Sequence, residues 1–327
     1  MNETLLSVSY AVLPEDGEDS FAVGEHGRGS FLCVSDGCGG LGSRRYAGQK
    51  NRTGAYIASR LVTDAFSNWM RESAALPATP LEGQRLCGEL ARDFGRLLKS
   101  FADKHCTEEK SRIVGSMQRR LPTTLCAAIT QTGAAGWREV GFLWCGDSRG
   151  YVLDADGLHQ CTQDHLRTEP DAFEGLYRDM PLSRFLSADH VPEWSMRRLR
   201  APLPCVVVTA TDGAYGSLPT PMEFEMLLLT TLLSSKNWNV WEKKLARQLQ
   251  KLSQDDATIL MQPCGIGDIE ALKALLLPRK AELQKRFITP VRRHRGDVAY
   301  AREKWLEYRP QYDWTMGGKH ERMDWRI

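Results

Sequence analysis

Four short acidic motifs, in fixed order and each beside an apolar run, constrain this chain more than any other feature. They are Asp36-Gly37-Cys38-Gly39-Gly40, Gly146-Asp147-Ser148-Arg149, Asp212-Gly213 and Asp255-Asp256-Ala257-Thr258. A weaker pair, Glu18-Asp19, precedes them. Three motifs follow apolar runs, Phe31-Leu32-Cys33-Val34, Val140 to Cys145, and Val206-Val207-Val208. The fourth instead precedes one, Ala257 to Met261. Short apolar runs bounded by Gly and Asp read as buried strands. A carboxylate at the end of a buried strand is costly to desolvate, and a bound divalent cation offsets that cost directly. Several such carboxylates, far apart in sequence and alike in placement, predict a metal site assembled at one edge of a sheet.

Composition narrows the remaining classes. A chain of 327 residues buries a full core and allows one large domain or two smaller ones. The net charge of +2 gives no whole-molecule signature for nucleic acid. No apolar run approaches the roughly 20 residues that span a bilayer, and Met1-Asn2-Glu3-Thr4 lacks the basic start of a signal peptide. The nine cysteines are an odd number without a C-x-x-C pair, and Cys33, Cys126, Cys145 and Cys205 lie in apolar runs. They read as small core residues in a reducing compartment, so a cytoplasmic protein is expected.

Along the chain, residues 5–13 read as a strand with Phe31 to Ser35 as its partner. A helical pattern follows from Ala47 through Ala55, Val62, Phe66 and Trp69, broken by Pro77 and Pro80. A second helix carries Leu86, Leu90, Phe94, Leu97 and Phe101 on one face. Residues 123–130, 139–145 and 150–154 read as strands, and Asp156-Gly157 offers a hairpin turn. Residues 166–200 are mixed, with three prolines. Residues 205–210 form a buried strand, 221–233 and 238–252 read as helices, and 257–261 closes the sheet.

The order of these motifs, Glu18-Asp19, Asp36-Gly37-Cys38-Gly39-Gly40, Thr123-Thr124, Gly146-Asp147-Ser148-Arg149, Asp164-His165, Asp212-Gly213 and Asp255-Asp256-Ala257-Thr258, resembles the metal-dependent serine/threonine protein phosphatases of type 2C. The resemblance runs from about Ser9 to Met261, and its style is bacterial. It implies an α+β fold, a four-layer α-β-β-α sandwich of two antiparallel sheets flanked by helices. It implies phosphate monoester hydrolysis by a metal-activated water, without a phosphoenzyme, using two or three Mn²⁺ or Mg²⁺ ions. By resemblance Asp36 bridges two ions, Gly37 offers its carbonyl, and Asp212 and Asp255 complete the protein ligands. Asp147 with Asp212 forms a third, weaker site, and Glu18 and Asp19 hold metal-bound waters. Oxygen-only donors suit Mg²⁺ or Mn²⁺ rather than zinc. The implied partners are a phosphoprotein substrate and a Ser/Thr kinase or its targets, with no membrane and no nucleic acid.

Two departures open other readings. The family's phosphate-binding Arg stands four residues before the Glu of the first pair, where this chain has Pro14. Arg28, Arg44 and Arg45 are the candidate replacements. The lost bidentate contact favours a second reading, a weak or inactive relative that binds a kinase or phosphoprotein. Cys38 replaces a proposed general acid, and Cys38 with Arg44 spells C-x5-R, the phosphate loop of cysteine-dependent phosphatases. That third reading makes Cys38 the nucleophile and leaves Asp147, Asp212 and Asp255 unexplained; otherwise Cys38 is an acid or a redox-sensitive thiol.

The resemblance ends near Gln262, which divides the chain into a phosphatase-like domain, 1–262, and an extension, 263–327. Leu272, Leu275, Leu276 and Leu283 predict one more helix. Between Arg279 and Arg309 there are ten Lys/Arg and four Asp/Glu, interleaved with Tyr300, Trp305 and Tyr308. The aromatics either pack back on the domain or form a docking tail for a protein partner.

Overall fold

A computed structural model of the chain describes residues 4–27, 29–72, 76–106, 118–168, 170–177, 180–314 and 325–326. The elements run β1 (Leu6–Tyr10), β2 (Ser20–His26), β3 (Gly29–Ser35), α1 (Gly39–Gly42), β4 (Arg45–Tyr46), β5 (Arg52–Thr53), α2 (Gly54–Glu72) and α3 (Pro80–His105). Then come β6 (Leu125–Thr132), β7 (Trp137–Cys145), β8 (Arg149–Asp154), β9 (Gly157–Gln160), β10 (Ser195–Pro202) and β11 (Cys205–Ala210). The chain continues with α4 (Pro221–Leu233), α5 (Trp238–Leu252), β12 (Ala257–Cys264), α6 (Ile269–Leu283), α7 (Thr289–Arg293), α8 (Val298–Tyr312) and β13 (Trp325–Arg326).

Apart from the two-residue strands β4 and β5, which pair with each other, the described strands form two antiparallel sheets, ordered β1-β12-β11-β8-β9 and β13-β10-β7-β6-β3-β2. Leu32, Val34, Phe142, Val152, Val207 and Leu260 meet between them as one buried cluster. The outer face of the six-stranded sheet is covered by α2 and α3 through Val62, Phe66, Leu90, Phe94 and Leu98. The outer face of the five-stranded sheet is covered by α4, α5 and α6 through Phe224, Leu228, Trp241, Leu245 and Leu276. The result is the expected four-layer α-β-β-α sandwich. Sheets buried on both faces explain why their strands read as continuous apolar runs instead of alternating ones.

Helix starts follow local chemistry. Thr79 and Glu82 form a reciprocal capping box at α3, with Pro80 in the first turn. Asn237 caps α5, Asp268 caps α6 and Asp297 caps α8 through their side-chain oxygens.

Several elements differ from the sequence reading. β1 pairs with β12 in the five-stranded sheet, and the partner of β3 is β2. β2 carries Gly24, Glu25 and His26 and sits at a sheet edge, so its pattern is too polar to read as a strand. β10, Ser-Met-Arg-Arg-Leu-Arg-Ala-Pro, was hidden by its arginines, one of which, Arg197, is fully buried. The helix expected from Ala47 begins at Gly54, because β4, a single 3₁₀ turn and β5 occupy residues 45–53. The buried stripe of α3 runs through Cys87, Leu90, Phe94, Leu98 and Ala102, one position round from the predicted Leu86 and Leu97.

After β12 the chain builds three helices where one was expected. Leu272, Leu276, Leu283, Phe287, Trp305, Tyr308 and Tyr312 join the core cluster over the five-stranded sheet. Trp314 stacks on His159 at 3.9 Å and packs between the sheets. These aromatics pack back on the domain and are not a free tail. The side chain of Trp325 lies outside the described residues.

Candidate active site

Strand registers bring the acidic motifs to one end of the sandwich. Ser35, the last residue of β3, faces Ser20, the first of β2, and Val34 faces Cys126 near the start of β6. Cys145 at the end of β7 faces Leu125 at that same start. In the other sheet Ala210, the last residue of β11, faces both Arg149 and Ile259. Asp19, Asp36, Asp147, Asp212 and Asp255 therefore lie on connections leaving one common edge.

Asp36 sits on a shelf of hydroxyls. Its backbone N–H donates to Thr124 Oγ1 at 3.2 Å, and its carbonyl accepts from Thr123 Oγ1 at 2.6 Å and Thr124 N at 2.8 Å. Thr123 shares a hydrogen bond with Ser35 at 2.8 Å, and Thr124 shares one with Ser148 at 2.7 Å. Thr123-Thr124 is thus the support beneath Asp36. Gly37 permits the turn: a Cβ there would lie 2.6 Å from the Ala55 carbonyl oxygen and 3.0 Å from that of Glu18.

Asp19 is clamped from below. Its Oδ2 accepts from Thr211 Oγ1 and Thr258 Oγ1, both at 2.8 Å, while Oδ1 is buried without a partner. Thr258 therefore belongs to the site through Asp19. The two adjacent aspartates of the last motif divide their work. Asp256 accepts from the N–H groups of Val12 at 2.8 Å and Glu18 at 2.5 Å, holding the 12–18 turn against β12. Asp255 is exposed, and among the described residues its carboxylate accepts from the Asp256 N–H alone, at 2.8 Å. Of the pair, Asp255 keeps the freer carboxylate.

Asp147 follows Gly146, whose φ of 117° belongs to glycine and whose N–H donates to His165 Nδ1 at 3.1 Å. That bond leaves the ring hydrogen on Nε2, which donates to Ser195 at 2.9 Å. Burial pushes His165 down to about 4, so it stays neutral. Arg149 forms a bidentate pair with Asp164, its Nε and Nη2 at 2.9 and 2.6 Å. Its guanidinium lies 4.1 Å from the ring of Tyr215, whose hydroxyl donates to the Asp147 carbonyl at 2.7 Å. The Asp164-His165 and Gly146-to-Arg149 motifs meet as one frame around Asp147.

The carboxylates burden one another. Burial, and then Asp212, Asp19, Asp147 and Asp255, hold Asp36 well above the usual carboxylate range. Burial and then Asp212 do the same to Asp147. Burial, offset by the two threonine bonds, lifts Asp19 to about 8. Asp212 is raised by burial and by Asp255. Among the described residues no three His, Cys, Asp or Glu side chains are already drawn into one ligand cage. The donor set nevertheless fits a hard divalent cation: its side chains offer oxygen, several like charges repel, and one buried Asp19 oxygen has no partner.

The family model for protein phosphatase 2C matches residues 15–250. This chain belongs to the protein phosphatase 2C family. No curated protein matches it. Among solved structures, serine/threonine phosphatase Stp1 from Staphylococcus aureus is 15% identical, with a TM-score of 0.59, over 80% of this chain and 95% of that one. The Mycobacterium tuberculosis serine/threonine phosphatase PstP/Ppp is 19% identical, with a TM-score of 0.54, over 80% of this chain and 97% of that one. PppA from Pseudomonas aeruginosa is 17% identical, with a TM-score of 0.54, over 80% of this chain and 98% of that one. At these identities the likeness to solved structures shows a shared fold.

In this member of the protein phosphatase 2C family, guanidinium groups cover the acidic turn at Glu15, Asp16 and Glu18 beside Pro14. Arg45 and Arg52 reach the two Asp16 oxygens at 3.0 and 2.5 Å, and Arg52 also donates to the Glu15 carbonyl. The Arg45 bond, chiefly, holds the Asp16 carboxyl below its usual range. Arg60 donates to the Gly17 carbonyl at 2.8 Å, and the Arg52 and Arg60 guanidinium groups lie 4.6 and 3.4 Å from the ring of Tyr56. Arg45 was a candidate from sequence; Arg52 and Arg60 were not. Their signal was the i, i+4 spacing of Tyr56 and Arg60 on α2, with Arg52 in β5 just before it reaching the same ring. Arg44 lies 6.0 Å from the ring of Tyr46, and Arg28 lies outside the described residues.

The loop at Cys38 is unlike a cysteine-phosphatase cradle, which needs its backbone N–H groups free for phosphate. Here Cys38 N is spent on the Pro122 carbonyl at 3.2 Å, and Leu41 N and Gly42 N on the Cys38 carbonyl at 3.0 and 2.8 Å. Burial, then Asp36, Asp147 and Asp212, push the thiol well up. A nucleophilic cysteine needs the opposite shift.

Proposed function

We propose that this protein is a metal-dependent phosphoprotein Ser/Thr phosphatase, of bacterial style and cytoplasmic, that opposes a Ser/Thr kinase. The observation that carries the reading is the gathering of Asp19, Asp36, Asp147, Asp212 and Asp255 at one sheet end in a chain of this family. Asp36, the Gly37 carbonyl, Asp212 and Asp255 would hold two Mn²⁺ or Mg²⁺ ions. Asp147 with Asp212 would take a third ion, and Glu18 and Asp19 would hold bound waters. When bound, such ions supply charge neutralisation at the phosphoryl oxygens and a water of lowered pKa. The protein's own part is positioning. Thr123, Thr124 and Ser148 fix Asp36, Thr211 and Thr258 orient Asp19, and Asp256 ties down the turn that carries Glu18. Residues 1–262 form the catalytic domain in this reading, and 263–327 its extension. Among the described residues no helix is long and apolar enough to cross a membrane.

Arg45 and Arg52 are the phosphate donors in this account, replacing the Arg absent at position 14. Arg52→Ala should raise KM for a small aryl phosphate at least tenfold, since a hydrogen bond to a charged group contributes roughly 1.5–3 kcal/mol, with kcat changing less. Pro14→Arg should then add little. The reverse pattern, a silent Arg52→Ala and a tighter Pro14→Arg, would mean that the contact is missing and would favour the weak or inactive reading.

Cys38 is a bystander thiol. Cys38→Ser should keep most of the activity, measured on a phosphothreonine peptide. Near-complete loss, together with a phosphocysteine adduct by mass spectrometry, would transfer the chemistry to Cys38 and Arg44.

A further inference from the structure

A groove of ≈ 1230 Å³ lies beside the candidate active site, between α4, α5, the segment from Val291 to Ala301 and the loop from Gly216 to Thr220. That loop leads directly out of the Asp212 turn, since Gly216 N donates to the Asp212 carbonyl at 2.6 Å. Its Ser217 hydroxyl accepts from Gln254 N, next to Asp255, at 3.3 Å. Tyr177 lines the groove as well and donates to the Pro219 carbonyl at 2.9 Å. The groove's loop is thus tied by hydrogen bonds to the segments that carry two of the proposed metal ligands, Asp212 and Asp255. One wall lies beyond residues 15–250 matched by the family model, so this chain's extension completes it.

The lining has a definite chemistry. Leu218, Met226, Leu227 and Val291 make it partly apolar, and Leu252 and Val298, also lining residues, stand 41% and 49% exposed. Five Lys/Arg line it against two carboxylates, Glu223 and Asp297. Both carboxylates are already engaged. Glu223 accepts a bidentate pair from Arg292 at 2.8 and 3.1 Å, and Asp297 caps α8 through Tyr300 N at 2.9 Å. Arg247, Lys251 and Arg295 are exposed and make no hydrogen bond or ion pair among the described residues. An apolar floor with an uncompensated basic rim complements a chain that alternates apolar and acidic side chains. A nucleic acid would meet the basic rim but gain little from an aliphatic floor, because bases bind through aromatic stacking.

We propose that this groove docks an acidic, apolar-bearing segment of the phosphoprotein substrate, distinct from the residues around the phosphate. The proposal rests on the phosphatase reading only for the word substrate. Docking at a site beside the catalytic centre raises the effective concentration of the phosphorylated residue without touching the chemical step. Exposed charge pairs are individually weak and salt-screened, so three together give a preference of about tenfold that shrinks at high salt.

The test uses the full chain and two phosphothreonine peptides with the same residues around the phosphate. One carries a Glu/Leu tail and the other a Gly/Ser tail. With Mn²⁺ present, kcat/KM should be about tenfold higher for the Glu/Leu peptide. The charge reversal Arg247→Glu/Lys251→Glu/Arg295→Glu should bring the ratio to about one while hydrolysis of p-nitrophenyl phosphate is unchanged. A fluorescent Glu/Leu peptide without phosphate, followed by polarisation in EDTA, tests docking apart from catalysis. Binding that the charge reversal removes supports the groove even if no phosphate is ever released, in which case only the phosphatase reading fails. Equal kcat/KM for the two peptides and no polarisation change overturn the docking proposal. Binding of an oligouridylate in place of the peptide overturns it equally.

Discussion

Asp36→Asn and Asp212→Asn should each lower turnover of a phosphothreonine peptide at least ~10²-fold, the scale of losing a principal electrostatic group. The argument is geometric before it is chemical. Asp36 and Asp212 come from different sheets, at the ends of β3 and β11, and strand register brings both to the same edge. Each is raised by burial and by the other acids. A cation relieves exactly that repulsion in both, and an amide cannot replace the charge that binds it. The same substitutions should weaken Mn²⁺ binding measured by calorimetry, a readout that does not need turnover. They should also leave the fold intact, or stabilise the metal-free protein slightly, because they remove like-charge repulsion. Variants that keep both Mn²⁺ affinity and turnover would take Asp36 and Asp212 out of the site.

Arg279→Met should destabilise the protein by about 3–5 kcal/mol, the scale of leaving one member of a buried ion pair unpaired. Arg279 on α6 donates to both oxygens of Glu225 on α4, at 2.6 and 3.0 Å, and both side chains are almost wholly buried. Tyr308 on α8 donates to the same carboxylate. A Cβ at Gly157, in the β8–β9 turn, would lie 2.8 Å from the Arg279 guanidinium nitrogens, so the hairpin closes directly over the pair. The network therefore bonds the extension to the helix layer over the five-stranded sheet. Glu225→Leu in the Arg279→Met background should restore most of the loss, because no buried charge is then left alone. Denaturant midpoints followed by tryptophan fluorescence give all three values. A single variant as stable as the parent would mean that α6 is held by its leucines alone.

The sequence reading went furthest where one residue type had one physical reason to be present. Apolar runs ending in Asp gave β3, β7 and β11 and the acidic edge, because a strand buried on both faces cannot be mistaken for a surface turn. The helices α4 and α5 were legible to the residue from Pro221, Trp238 and their apolar spacing. The four layers came from family resemblance, since periodicity says which face is buried but not what covers it. The β8–β9 hairpin was legible from Asp156-Gly157, but long-range pairing was not: β1 joins β12 across almost the whole chain, and nothing local encodes that choice. The arginines were misjudged for a related reason. A charge cluster reads as a solvated surface, yet Arg149, Arg197 and Arg279 are buried and Arg45 and Arg52 neutralise a turn from another part of the chain. The aromatic, basic extension read as packing on the domain or as a docking tail; burial of Trp305, Tyr308 and Tyr312 decided for packing. Within the last motif, only hydrogen bonding separated Asp255, whose carboxylate accepts locally from the next N–H, from Asp256, which spends both oxygens on Val12 and Glu18.

The most direct test of metal-dependent phosphatase activity is phosphate release from a phosphothreonine peptide by protein freed of metal with EDTA, before and after Mn²⁺ is added. The account predicts no release without the metal and catalytic release with it, restored by Mg²⁺ or Mn²⁺. Release that continues in EDTA, or no release at any Mn²⁺ concentration, would contradict it.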